Sequence, residues 1–229
     1  MEKQQLIESV RFLEQFTTEH RLDLIDKNIC NRTKYITVVL ENIFQPQNAS
    51  AVIRSCDCFG IQDLHVIENS NEYTLNPEVV MGSSKWVDLH RYNAKEENTL
   101  DTIISLKKQG YRIVATTPHT NDVLLPDFDL QKGKSAFFFG TELTGLSDVV
   151  MDNADEFVKI PMYGFTESFN ISVSAALVLN HLSTEIRRIN VNWELSEVEK
   201  LELKLEWLKK TVRSGDKMIQ EFILRNKSI

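Results

Sequence analysis

Polar residues follow directly after three short apolar segments in this chain of 229 residues. The segments span 111–116, 136–140 and 157–160, and the Gly and Pro residues that bound them are typical of buried strands. A further polar segment, 168–172, opens directly into a long helix pattern. Open α/β sheets bind their ligands where strand ends meet polar loops and helix N-termini. If these ends converge, they form one crevice, and the chemistry they favour is the binding of a small ligand.

Cysteine and histidine spacing argues against a metal site. The three cysteines, Cys30, Cys56 and Cys58, contain no CxxC pair. On one helix, Cys56 and Cys58 would point about 200° apart and could not hold one metal together. The five histidines show no HExxH or His-x-His pattern. We therefore expect reduced thiols and no metal.

Composition predicts a cytoplasmic globular protein without membrane attachment. No apolar segment approaches the roughly 20 residues that cross a bilayer, and the first residues lack the pattern of a signal peptide. The net charge of −7 does not favour nucleic-acid binding, although a local basic patch can carry such a contact. The candidate basic residues are His20, Arg21, Arg32, Lys34, Lys85, His90 and Arg91.

Strands and helices alternate between residues 35 and 181, which predicts a largely parallel sheet with helices on both faces. The first strand, 35–40, leads into a helix over 49–59, for which Asn48 is the expected N-cap and Gly60 the C-cap. Amphipathic helices are predicted at 6–16 and in one last helix after 195. The crevice would thus be built at strand ends of this sheet.

Three sequence motifs lead to a family. Residues 45–60 read QPQNASAVIRSCDCFG, residues 139–146 read FGTELTGL, and residues 160–164 and 168–175 read IPMYG and SFNISVSA. They resemble the three motifs of the SpoU/TrmH family of RNA ribose methyltransferases, in the family's order and spacing. The first motif and the chain length are most similar to the branch that methylates guanosine in the D-loop of transfer RNA.

The resemblance implies an α/β fold, a parallel-sheet domain with a C-terminal trefoil knot of the SPOUT type, flanked by N- and C-terminal helices. The domains would be an N-terminal helical extension at 1–34, a SPOUT methyltransferase domain at 35–189 and a C-terminal helical extension at 190–229. It also implies a homodimer that uses S-adenosyl-L-methionine. Periodicity alone does not predict a knot, because chains generally avoid threading.

The same resemblance carries over the site residues. The implied cofactor contacts, made largely through backbone groups, are Thr116, Gly140, Ile160 and Phe169. The implied catalytic set is Arg54 with Glu142 and Asn170. The ribose 2′-oxygen would attack the sulfonium methyl. A guanidinium pKa above about 12 leaves open whether Arg54 takes up the proton or only orients the hydroxyl. By position alone, Asn170 also fits an N-cap.

The sequence therefore predicts an enzyme that transfers a methyl group from S-adenosyl-L-methionine to a ribose 2′-hydroxyl in RNA, with a guanosine of the transfer-RNA D-loop as the expected target. Two alternatives stay open. One is the same reaction on ribosomal RNA. The other is a catalytically idle RNA-binding protein on the same fold, against which the joint presence of Arg54, Glu142 and Asn170 argues. A generic nucleotide-binding enzyme would require the three motif matches to be accidental.

Overall fold

The computed structural model describes residues 1–80, 82–118 and 123–226. The contacts within it divide the chain into two compact units. One unit combines Met1–Arg32 with the chain from Glu194 onward, and the other, here called the sheet unit, is Thr33–Trp193. Over these described ranges, every helix is too short or too polar to span a bilayer.

The helices are α1 (Lys3–Glu14), α2 (Glu19–Ile29), α3 (Pro46–Phe59), α4 (Pro77–Val80), α5 (Thr99–Lys108), α6 (Asp148–Asn153), α7 (Ile171–Glu185), α8 (Glu197–Thr211) and α9 (Gly215–Asn226). The strands are β1 (Ile36–Glu41), β2 (Asp63–Ile67), β3 (Asp88–Tyr92), β4 (Arg112–Thr116), β5 (Val123–Leu124), β6 (Ser135–Phe139) and β7 (Glu156–Lys159). Short 3-10 turns lie at Ser83–Lys85, Leu125–Asp127 and Leu130–Lys132.

The strands form one parallel sheet in the order β3-β2-β1-β6-β4-β7-β5. The expected parallel α/β sheet flanked by helices is therefore confirmed. Side chains alternate between the two faces of a strand, so the three consecutive phenylalanines of β6 point to both faces of the sheet. Phe137 and Phe139 pack into the core cluster that includes α3 and α7. Phe138 packs on the opposite face with α5 and α6. Apolar residues on both faces thus fix β6 near the middle of the sheet.

The first unit, formed by Met1–Arg32 and the chain from Glu194 onward and here called the terminal unit, consists of amphipathic helices packed together. Leu6, Val10 and Leu13 of α1 are buried, as the periodicity predicts. The helix predicted after residue 195 is confirmed as α8, but it is not the last, because α9 follows it. The structure has α8 and α9, separated by Ser214 at a positive φ of 61°. Such a backbone conformation ends a helix, because a side chain in it meets the following carbonyl.

The predicted N-cap of α3 is also wrong. The helix begins at Pro46, with Gln45 in the N-cap position, and Asn48 lies inside the first turn. Proline is favoured at the first helical position because its fixed φ suits the helix and its missing N–H would be unpaired there anyway. Asn48 therefore does not cap the helix, and its buried side chain forms hydrogen bonds in the site described below.

A group of titratable side chains lies on β2 and β3. Asp63 contacts His90 Nε2 at 2.9 Å and Lys34 Nζ at 3.8 Å. His65 stacks on His90, with ring centroids 4.6 Å apart, and its Nδ1 lies 2.9 Å from the hydroxyl of Tyr92. Burial, and after it the charge of the nearby His90, lowers the pKa of His65 to about 4 against the opposing effect of Asp63.

We predict that the sheet unit loses stability as the pH falls from about 6.5 to 4. The folded state keeps His65 neutral to about pH 4, whereas the unfolded chain protonates it near pH 6.5. The unfolded state therefore binds more protons in this window, and between pH 7 and 5 the free energy of unfolding drops by about 2 kcal/mol. Urea unfolding at both pH values should show a smaller drop for His65→Gln than for the wild type. His181→Gln, a histidine change on α7, is the control. An unchanged pH dependence in His65→Gln would contradict the assignment.

Candidate active site

A cavity of about 460 Å³ lies at the carboxyl ends of β4, β6 and β7. Because parallel strands end at the same edge of a sheet, their loops meet there. The structure brings the four sequence-predicted cofactor contacts together in its wall: Thr116, Gly140, Ile160 and Phe169. Glu142 and Ser168 line it as well. The expected convergence of the strand ends is thus what the structure shows.

The turn after β6 is closed by its own backbone. Thr141 and Gly145 exchange hydrogen bonds of 2.9 and 3.1 Å between N–H and carbonyl groups, and Gly145 has a φ of +71°. Gly140 lies so close to this turn that an added Cβ would stand 2.1 Å from the Gly145 carbonyl carbon and oxygen. Only glycine fits at position 140 without displacing the turn.

The cavity fits S-adenosylmethionine. Its volume falls within the range of small-molecule sites, about 300–1,000 Å³. Leu146, Met151 and Met162 supply apolar surface of the kind that a flat adenine ring requires. The hydroxyl of Thr116 donates a 2.7 Å bond to the carbonyl of Phe138, which anchors the end of β4 to β6. Backbone groups of these strand ends would hold the cofactor, as the sequence predicts.

Glu142, Asn48 and Asn170 form a hydrogen-bonded cluster beside this cavity. Oε1 of Glu142 accepts from Nδ2 of Asn48 at 2.9 Å and from Nδ2 of Asn170 at 2.6 Å. The two amides are also linked, since Asn170 Nδ2 lies 3.1 Å from Asn48 Oδ1. The structure therefore places two residues of the predicted catalytic set, Glu142 and Asn170, in direct contact.

Asn170 caps α7 and also contacts Glu142. Its Oδ1 accepts from the backbone N–H of Ser172 at 2.8 Å, which is the N-cap bond of α7. Its Nδ2 meanwhile donates to Glu142. Capping fixes the amide orientation, so the donor group faces the carboxylate. Asn48 was missed as a site residue; the signal that could have found it is Pro46, which takes the helix start away from it.

Arg54 stands on the exposed face of α3, and the residues that line the cavity do not include it. Since α3 packs against α7, Arg54 belongs to the same side of the sheet as the cluster. This predicted catalytic residue is nevertheless not part of the cavity wall.

Several of the predicted basic residues are buried or paired with carboxylates. Arg32 is 4% exposed and lies over the ring of Trp207 at 5.0 Å, so its assignment to an exposed patch is wrong. Arg91 donates two hydrogen bonds to the carboxylate of Glu68, at 2.6 and 3.0 Å. Lys34 and His90 contact one carboxylate, that of Asp63. The positive charges of Lys34 and Arg91 are thus partly neutralised within the fold.

Residues 35–180 match the family model described as the SpoU rRNA Methylase family. The chain belongs to this family. A member from Borreliella burgdorferi, named tRNA (guanosine(18)-2′-O)-methyltransferase, is 44% identical over 209 residues, covering 91% of this chain and 94% of the relative. The enzyme of the same name from Thermus thermophilus is 33% identical over 162 residues, covering 71% and 81%.

The SpoU fold is also found among solved structures. A TrmH/SpoU tRNA-modifying enzyme from Aquifex aeolicus superposes with a TM-score of 0.74 at 27% identity, covering 85% of this chain and 98% of that one. The family that the three motifs predict is therefore confirmed.

We predict that Gly140→Ala abolishes productive cofactor binding. The added Cβ must push the Thr141–Gly145 turn away by more than 1 Å, and displacement on that scale costs about 100-fold in activity. Gly145→Ala is the matched control, because a Cβ there meets no atom within 4 Å and is disfavoured only by the positive φ. Calorimetric titration with S-adenosylmethionine measures both variants. Equal affinities in Gly140→Ala and wild type would contradict the role of this turn.

Proposed function

We propose that this chain transfers a methyl group from S-adenosylmethionine to the ribose 2′-hydroxyl of a guanosine in the D-loop of transfer RNA, the guanosine numbered 18 in the relatives' names. The observation that carries the proposal is the 44% identity to such an enzyme over nearly the full length of both chains. The names of these relatives favour transfer RNA over ribosomal RNA. The cavity and the adjoining Glu142 cluster support the proposal, because they offer a site where the cofactor and a ribose could lie side by side.

The chain binds the cofactor at the strand ends. Backbone groups at Thr116, Gly140 and Ile160 would hold it, and the apolar side chains of Met162 and Phe169 exclude water from the cavity. Bound there, S-adenosylmethionine supplies an activated methyl group on a sulfonium that leaves as a neutral thioether. The protein is left with orientation and proton removal, and orientation of two bound reactants can supply about 7–11 kcal/mol of the barrier.

The polar cluster and Arg54 act on the ribose. Asn170 and Asn48 hold the Glu142 carboxylate in one orientation at the cavity wall, where it can accept a hydrogen bond from a sugar hydroxyl. We assign Arg54 the stabilisation of negative charge that develops on the 2′-oxygen. The hydroxyl proton then leaves to water or to a phosphate of the RNA.

The enzyme acts as a homodimer in this proposal. Val173 and Leu177 lie four residues apart on the N-terminal half of α7, and Phe169 lies just before this helix; each of the three is about two-fifths exposed. Tyr163 and Phe165 on the preceding segment are fully exposed. Large apolar side chains exposed close together in the sequence support a protein interface here. Because α3 packs against α7, we expect a second copy on this face to complete the site around Arg54.

Three further features belong to the same proposal. The chain around the cavity is threaded as a trefoil knot, supported by the insertion of β6 between β1 and β4 and by the superposition on the Aquifex aeolicus enzyme. The helices of 1–34 and 190–229 are extensions of a methyltransferase domain at 35–189, supported by the division of contacts after Arg32 and before Glu194. The enzyme works in the cytoplasm, because its proposed substrate is transfer RNA.

We predict that Arg54→Ala lowers methyl transfer to unmodified transfer RNA by about 10²–10³-fold, the usual cost of removing one preorganised charge stabiliser. Transfer from labelled S-adenosylmethionine measures the rate, and nucleoside mapping should place the product at the D-loop guanosine ribose. Lys108→Ala, an exposed cation at the end of α5 on the other face of the sheet, is the control.

The possible outcomes separate the alternatives. Transfer to ribosomal RNA but not to transfer RNA would show that the proposed substrate is wrong. Failure of the wild type to bind the cofactor or to transfer a methyl group would instead support the catalytically idle RNA-binding protein. Full activity in Arg54→Ala would remove this residue from the reaction.

We predict that Val173→Glu converts a dimer into monomers, because burial of an unpaired carboxylate at an apolar interface costs several kcal/mol. Sedimentation equilibrium measures the mass of each variant. Leu100→Glu places the same charge at an equally exposed apolar position on α5 and should leave the mass unchanged. A wild-type protein that sediments as a monomer at micromolar concentration would overturn the dimer.

A further inference from the structure

A second cavity, of about 380 Å³, lies on the other side of the Thr141–Thr144 turn. Its lining is mainly apolar with a few amide groups, and includes Ile43, Phe44, Gln45, Asn48, Asn71 and Glu142. The turn and Glu142 therefore belong to both cavities. A ligand that occupies the second cavity lies next to whatever occupies the first.

The wall that carries Asn71 is held in place by Asn42. This residue has a φ of 54°, a conformation that asparagine tolerates better than most residues. Its Oδ1 accepts the backbone N–H groups of Asn69 and Ser70 at 2.8 and 3.0 Å. Its carbonyl accepts Nδ2 of Asn71 at 2.8 Å, which orients the Asn71 amide. The second cavity thus has a built wall rather than a loose loop.

Packing in the core does not explain why an aromatic residue stands at position 44. Phe44 is 76% exposed, while the preceding Ile43 is 4% exposed and anchors the loop in the core. The result is an exposed aromatic side chain at a cavity whose lining also includes the amides of Gln45, Asn48 and Asn71. Nucleobases in RNA loops are bound in this way, by stacking on an aromatic side chain and hydrogen bonding along the edge of the base.

We propose that the second cavity holds the base of the nucleotide whose ribose is methylated, with Phe44 stacked on the base and the amides of Gln45 and Asn71 facing its edge. This rests on the proposed function. The shared wall supports it, because a nucleotide with its base in the second cavity has its ribose beside Glu142, at the border of the first. Phe44 is then a binding residue for the purine, distinct from the groups that hold the cofactor.

The test compares Phe44→Ala, Phe44→Trp and Leu100→Ala, the last an exposed apolar residue on α5 that lines neither cavity. Loss of one stacking contact should lower kcat/KM for transfer RNA roughly 5- to 150-fold in Phe44→Ala. Affinity for S-adenosylmethionine should not change. Phe44→Trp should restore the rate, and Leu100→Ala should match the wild type.

A second readout does not need methyl transfer. Transfer RNA that carries 2-aminopurine in place of the target guanosine should lose fluorescence on binding wild type or Phe44→Trp, because the fluorophore stacks on the ring. It should not do so on binding Phe44→Ala. A wild type that methylates transfer RNA, with Phe44→Ala equally active and quenching unchanged, would overturn the inference and leave the proposed function standing. An inactive wild type would contradict the proposed function, and the quenching would still decide whether Phe44 receives the base.

Discussion

One carboxylate oxygen connects the parts of this protein that bear on its chemistry. Oε1 of Glu142 accepts hydrogen bonds from Asn48 in the first turn of α3 and from Asn170 at the start of α7. Glu142 itself stands in the turn after β6, so the cluster joins three segments that are far apart in the chain. Hydrogen bonds to an ionised acceptor are roughly twice as strong as neutral ones. This turn separates the two cavities, and its position sets the shape of both.

The sheet explains why that turn can be held so closely. Three successive phenylalanines of β6 fill the cores on both faces, and well-packed cores do not yield to small displacements. The strand therefore delivers Gly140 to a fixed point, where the backbone of Gly145 lies too near for any Cβ. The strand ends meet at the cavity because a parallel sheet ends its strands at one edge, and the glycine at position 140 lets the turn after β6 close tightly there.

Local patterns in the sequence were enough to predict the parallel sheet and the convergence of its strand ends, since both depend on apolar segments and the residues that bound them. Patterns of the same kind misplaced Asn48, because capping preference treats asparagine alone and Pro46 decides where α3 begins. They also missed the burial of Arg32, which depends on Trp207, a residue distant in the chain that periodicity does not pair with it. The motif resemblance implies a catalytic role for Arg54, but it does not predict that Arg54 lies outside the cavity wall. That position depends on tertiary packing, which a local motif does not contain.

Charge alone would not account for the proposed binding of RNA by a chain of net charge −7. In the terminal unit, Lys204 is paired with both Glu14 and Asp26. In the sheet unit, Arg91 is paired with Glu68. Cations held in this way release few counterions when they meet phosphate, so they contribute little of the salt-dependent affinity that most RNA-binding proteins use. Base stacking does not depend on net charge. In the proposed binding mode, the exposed Phe44 at the second cavity would thus supply affinity that does not depend on the net charge of the chain.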